Sequence, residues 1–158
     1  MNISIDASDH YALVSSKEFT ERMDDRWSQG LQLSSSPALK TLWGIMADTF
    51  RTATLNSING VAASPWLILQ PPTGSGKTRG TCVFAAMQAD ANAQGDLKPV
   101  GVLIVTRLIA QADELAQEIN ALTGRSVAVA HHSDKPATAE EMFASDILIV
   151  THQAYVYS

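Results

Sequence analysis

The chain has 158 residues, 46% hydrophobic and 17% charged, which is room for about one globular domain with an ordinary core. Its net charge of −5 excludes overall cationic attraction to nucleic acid, so such a partner needs a local cluster or parts lying outside the chain. Cys82 is the only cysteine, which excludes an internal disulfide; with no basic-apolar leader and no apolar run of membrane-spanning length, a soluble cytoplasmic protein is expected.

The first sixty or so residues read as helical. Ser15 and Glu18 stand at capping-box spacing, and Gly30 is expected to stop the helix that they open. A second helix starts at Ser36-Pro37, an N-cap followed by proline at the first helical position. Leu39, Leu42, Trp43, Met46 and Phe50 fall along one face of it. That stripe is read as core packing, with a surface for an adenine ring as the alternative.

Leu67-Ile68-Leu69 is then expected to be a short strand running into Pro71-Pro72-Thr73-Gly74-Ser75-Gly76-Lys77-Thr78. Those residue types suit a polyphosphate. Gly74 and Gly76 permit a tight turn whose N–H groups approach oxygen without a Cβ between, and Lys77 supplies a point charge. The hydroxyl of Thr78 is a magnesium ligand in such a loop, and the helix beginning there directs its positive dipole end at the phosphates. The general pattern places its first glycine where this chain has Pro71, which has no N–H to donate, so the cradle is built from Thr73, Gly74, Ser75, Gly76, Lys77 and Thr78. A chance occurrence in a linker is the alternative; the strand before and the helix from Thr78 to Ala89, with Val83, Phe84 and Met87 at helical spacing, argue against it. Cys82, on that helix, is read as a small packed residue.

Asp90 to Lys98 is expected to be a surface loop. Beyond it strands and helices alternate: a strand at Val100 to Thr106, a helix at Leu108 to Leu122 closed by Gly124, and a strand at Ser126 to Ala130. A helix near Thr138 to Phe143, with Thr138 and Glu141 at capping-box spacing, precedes a last strand at Asp146 to Thr151. Apolar strands separated by helices predict a parallel sheet covered on both faces, that is, an α/β fold.

In such a sheet the ligand crevice lies at the carboxyl ends of the strands, so Thr106, Arg107, Thr151 and His152 carry the first functional reading: hydrogen bonds and charge toward a phosphodiester backbone. The equal alternative is that each threonine caps the helix that follows. Taken together, Pro72 to Thr78, Thr106-Arg107 and Ile147 to His152 resemble the ordered motifs of superfamily two helicases, the DEAD/DEAH-box type above all. The resemblance spans about residues 66 to 153. It implies a P-loop NTPase: residues 61–158 form an incomplete RecA-like parallel sheet with flanking helices, preceded by an N-terminal helical segment, 1–60. It further implies ATP and magnesium as cofactors, DNA or RNA as partner, a catalytic part for Lys77, and backbone contacts at Thr106, Arg107, Thr151 and His152.

Hydrolysis by a phosphate-loop enzyme also needs a carboxylate just past an apolar strand. The residues taken to follow the four apolar runs are Gln70, Thr106, His131 and Thr151, and Asp146 precedes its strand. The acidic motif and the second RecA-like domain that the resemblance calls for are therefore expected in a longer parent protein, and this chain is expected to bind ATP with little turnover. The competing reading is a phosphate-loop kinase or regulatory module with no nucleic-acid partner; a third is a structural fragment in which the loop is idle. His131-His132-Ser133-Asp134 gives too few ligands at poor spacing for a metal and reads as a strand-end loop.

Overall fold

Ser15 opens the first helix as its spacing predicts: in the computed structural model, which describes residues 10–60 and 67–157, its hydroxyl accepts from Glu18 N. The helix, α1 (Ser16–Leu31), runs through Gly30 rather than stopping there. Gln32 takes the left-handed closing conformation instead, φ 53°. The chain divides into two compact units, Met1–Phe84 and Ala85–Ser158.

In the first unit, Ser36 caps α2 (Pro37–Ile58), its hydroxyl accepting from Leu39 N at 3.2 Å, with Pro37 inside the first turn where its missing N–H costs nothing. The predicted stripe is core. Trp43 and Met46 are buried and Leu39, Leu42 and Phe50 half-buried. α1 contributes Phe19 and Met23, and α3 (Lys77–Asn92) begins in this unit with Cys82, Val83 and Phe84 also buried. Phe19, Phe50 and Phe84 form an aromatic cluster with ring centroids 4.8–6.5 Å apart. Each large apolar side chain so buried contributes roughly 1.5–3 kcal/mol. Asp24 of α1 accepts from Lys40 Nζ of α2 at 2.6 Å and from the Ser35 hydroxyl, which fastens the two helices near their connection.

The predicted strand before the loop is a correction. Trp66 lies outside the described residues, and Leu67 to Gln70 pair with no strand; Ile68 is 76% exposed. A strand needs ladder partners, and alternation of side chains alone supplies none.

In the second unit, α3 continues through Asn92, so Asp90 to Asn92, read as loop, belong to helix. Asn92 then anchors the chain's return: its amide donates to Val100 O and Asp146 Oδ1 (3.0 and 2.7 Å) and accepts from Val100 N. β1 (Val102–Thr106), α4 (Ile109–Thr123), β2 (Ala128–His131), α5 (Ala139–Ala144), β3 (Ile147–Thr151) and α6 (His152–Tyr157) follow. The sheet is parallel in the order β1-β3-β2, with Thr106 opposite Thr151 and His131 opposite Val150. Gly124, at φ 67°, closes α4 as predicted. Thr138 and Glu141 make the full reciprocal capping box.

Two expectations for this sheet need correction. β2 extends to His131, which therefore ends the strand instead of following it. The sheet is also not covered on both faces throughout: β3 is buried almost end to end, but Leu103 and Val105 of β1 are 50% and 42% exposed. No helix among the described residues is long and apolar enough to cross a membrane.

Candidate functional site

The loop at residues 72–78 is built by local geometry. Ser75 N donates to Pro72 O at 3.3 Å, closing a β-turn with Gly74 at its third position and φ 81°, a value that favours glycine. The Ser75 hydroxyl also donates to Pro72 O, at 2.7 Å, and Ser75 is buried. Gly76 has φ 85°, and a Cβ there would stand 3.3 Å from both Met23 Cε and Trp27 Cζ3. Trp43 Nε1 donates to Ser75 O at 3.0 Å, so the α2 stripe supports the loop through its backbone. The face read as core thus also holds the turn in place.

α3 starts at Lys77. Among the described residues, the N–H groups of Gly74, Gly76 and Lys77 meet no backbone carbonyl, and the first turn of a helix leaves such donors free by construction. Lys77 Nζ donates to Pro71 O at 2.8 Å, which keeps its ammonium at the loop. Thr78 is exposed on the first helical turn. N–H donors at a helix N-terminus, an ammonium and a hydroxyl are the groups that would hold the phosphates of a nucleotide with magnesium. Residues 73–78 are the ones that would hold it.

At the other predicted place, the second unit gathers all four residues. Thr106 and Thr151 are register partners at the carboxyl ends of adjacent strands, and Arg107, Thr151 and His152 line one cavity of about 380 Å³ with Leu108, Ile109 and Gln153. Both threonines are buried and their hydroxyls engaged locally: Thr106 Oγ1 accepts from Leu108 N at 3.1 Å and donates to Leu108 O, and Thr151 Oγ1 accepts from Ala154 N at 3.3 Å. The exposed chemistry here is the guanidinium of Arg107 and the imidazole of His152.

His131 Nδ1 accepts from Ala137 N at 3.1 Å, so its other ring nitrogen carries the hydrogen when the ring is neutral. His132 is buried, with Nε2 3.3 Å from Asp113 Oδ1 on α4. Past the described strands stand Arg107, His132 and His152, and no carboxylate. Asp146 sits at the amino edge and is held by Asn92, so it serves the fold. Among the described residues, no group of three His, Cys, Asp or Glu side chains stands together as a metal site.

Sequence reasoning missed Asn92 and Asn120. Asn120 Oδ1 accepts from Val127 N and Ala128 N, both at 2.8 Å, and its Nδ2 donates to Ala128 O, which pins the start of β2 to α4. Only a polar residue on a largely buried helix face hinted at this. No protein-family model matches the chain, and comparison with curated proteins yields no match.

Proposed function

We propose that the chain binds ATP with magnesium through Thr73 to Thr78, as the nucleotide-binding segment of a nucleic-acid helicase or translocase of the DEAD/DEAH-box type. The observation that carries the nucleotide reading is the loop itself. Two glycines at positive φ present free N–H groups at the start of a 16-residue helix, with Lys77 held beside them. Lys77 supplies charge to the terminal phosphates, Thr78 a ligand to magnesium, and the dipole of α3 favours the same anion. The nucleic-acid reading rests on Arg107 and His152 sharing one cavity at the strand ends, where charge grips a backbone without reading bases. A nucleotide-binding module with no nucleic-acid partner is the second reading, favoured by the local engagement of the Thr106 and Thr151 hydroxyls.

Thermal unfolding with ATP and magnesium tests the first part. Ligand at a hundredfold its Kd stabilises by about 2.7 kcal/mol, and Lys77→Ala is expected to remove most of that shift. Equal shifts in both forms, or none in either, would reject the loop assignment. Binding of a single-stranded oligonucleotide that weakens with salt and with Arg107→Ala supports the helicase reading; its absence leaves the nucleotide module.

A further inference from the structure

His132, just past β2, is only 3% exposed, and neither of its ring nitrogens has a hydrogen-bond partner among the described residues. Packing accounts for a buried ring, but not for one with two unbonded polar atoms, which bears the full cost of leaving water. Nε2 stands 3.3 Å from Asp113 Oδ1 of α4 without the alignment of a hydrogen bond, and that carboxylate favours the hydrogen on Nε2. Nδ1 is then an acceptor with nothing to accept. His132 lines a cavity of about 320 Å³ at the carboxyl ends of β2 and β3, and no α4 residue is on that lining, so Nδ1 is the ring atom left for the cavity. The nitrogen is covered in the structure, and a ligand that bonds it moves a neighbouring side chain aside, as binding commonly does.

The rest of the lining is uncharged and complementary. His131, its Nδ1 occupied by Ala137 N, offers an Nε2–H donor; Thr151 Oγ1 already accepts from Ala154 N, which leaves its hydroxyl hydrogen to give. Gln153 adds an exposed amide, and Pro136 and Ala154 an apolar wall. Among the described residues the lining holds no Lys, Arg, Asp or Glu, so it selects for neither an anion nor a cation. A metal is also disfavoured, since two imidazoles need a third ligand and no such group stands together among the described residues. The volume is at the small end for a ligand cavity and suits one flat ring system. An acceptor beside two donors, with an imidazole face to stack on, matches the edge and face of an unpaired nucleobase.

We propose that this cavity is a nucleobase site, holding the base by hydrogen bonds to His131, His132 and Thr151, whether as a free nucleoside or as one unstacked base of a strand. The cavity shares Thr151 and Gln153 with the one that holds Arg107 and His152, so the two adjoin. A strand whose phosphates lie on those cations has its base beside the uncharged cavity. The strand form rests on the nucleic-acid reading above; the nucleoside form does not.

Titration of the full chain with adenosine, guanosine, cytidine and uridine, which carry no phosphate, tests the site by calorimetry and by the ring ¹⁵N resonances of histidine. Saturable binding of at least one, with the His131 and His132 resonances moving together, is expected. His131→Phe keeps a flat ring and removes the donor, and should weaken binding on the order of tenfold; Gln153→Ala, at an exposed position, should weaken it without lowering the thermal midpoint. A single-stranded oligonucleotide is then compared with an abasic strand of equal length. A preference for the strand with bases that His131→Phe abolishes supports the strand form. Equal binding of both strands, weakened alike by Arg107→Ala, keeps the backbone reading and overturns the strand form. Binding of a nucleoside but of neither strand supports the free form and ends the nucleic-acid reading. No saturable nucleoside binding together with no preference for bases overturns the proposal, as does nucleoside binding that leaves the histidine resonances and the His131→Phe affinity unchanged.

Discussion

Gly76 meets two demands at once, a positive φ and a close approach by Met23 and Trp27, and each alone disfavours a side chain. Gly76→Ala is expected to cost about 1–3 kcal/mol in strain, measured as a lowered denaturation midpoint, and to weaken nucleotide binding by displacing the N–H donors beside it. Gly74 differs: its φ is positive but nothing lies within 4 Å of an added Cβ, so substitution there meets backbone strain without crowding. Both glycines were legible as turn-formers in the sequence. Their unequal surroundings were not, because Met23, Trp27 and Trp43 come from helices far earlier in the chain.

Among the elements, those whose boundaries are set by neighbouring residues were mostly read correctly, with Gly30 in α1 the exception. Ser36-Pro37 starts α2, Thr138 and Glu141 start α5, and Gly124 ends α4, each through a bond or a conformation spanning only a few residues. One strand that depends on a distant partner was misread. Leu67 to Leu69 has a strand's composition without a ladder, and the true ties of the sheet, Asn92 to Asp146 and Asn120 to Val127 and Ala128, sit in helices. Asn120→Ala removes the partner of two N–H groups and one carbonyl at the entry to β2; a loss of about 2–3 kcal/mol in chemical denaturation is expected. The caps also carry a pH signature. Glu141 is held below its ordinary pKa by hydrogen bonds from the Thr138 backbone and then its hydroxyl. Asp24 is held below its own by Lys40 and then by Ser35. A carboxylate whose folded pKa is depressed stabilises the fold above its unfolded pKa, and the stability is lost as pH falls through the folded value. Their contribution should therefore be flat from neutral pH down to about 5 and fade below about 4, an acid loss of stability that Glu141→Gln with Asp24→Asn makes smaller.

For the whole molecule, the α/β class and the parallel pairing were legible because β1, β2 and β3 are apolar runs separated by helical spacing, which leaves few alternatives. The division at Phe84 and Ala85, inside α3, was not, since nothing in a helix's own periodicity marks where its contacts change. The turn at Gly74 and Gly76 and the strand-end placement of Thr106 and Thr151 were legible from residue types and order, whereas the local engagement of the Thr106 and Thr151 hydroxyls took coordinates to see. The uncovered side of β1 has a colloidal consequence. β1 is a terminal strand of the described sheet, and along it Leu103 and Val105 stand half in water beside hydrogen-bonding groups that no neighbouring strand among the described residues takes up. Such an edge is a template on which another copy's backbone adds, so turbidity should rise with concentration and warming. Val105→Lys, a charge at the rim of that template, should delay the onset while leaving the thermal midpoint of the monomer nearly where it was.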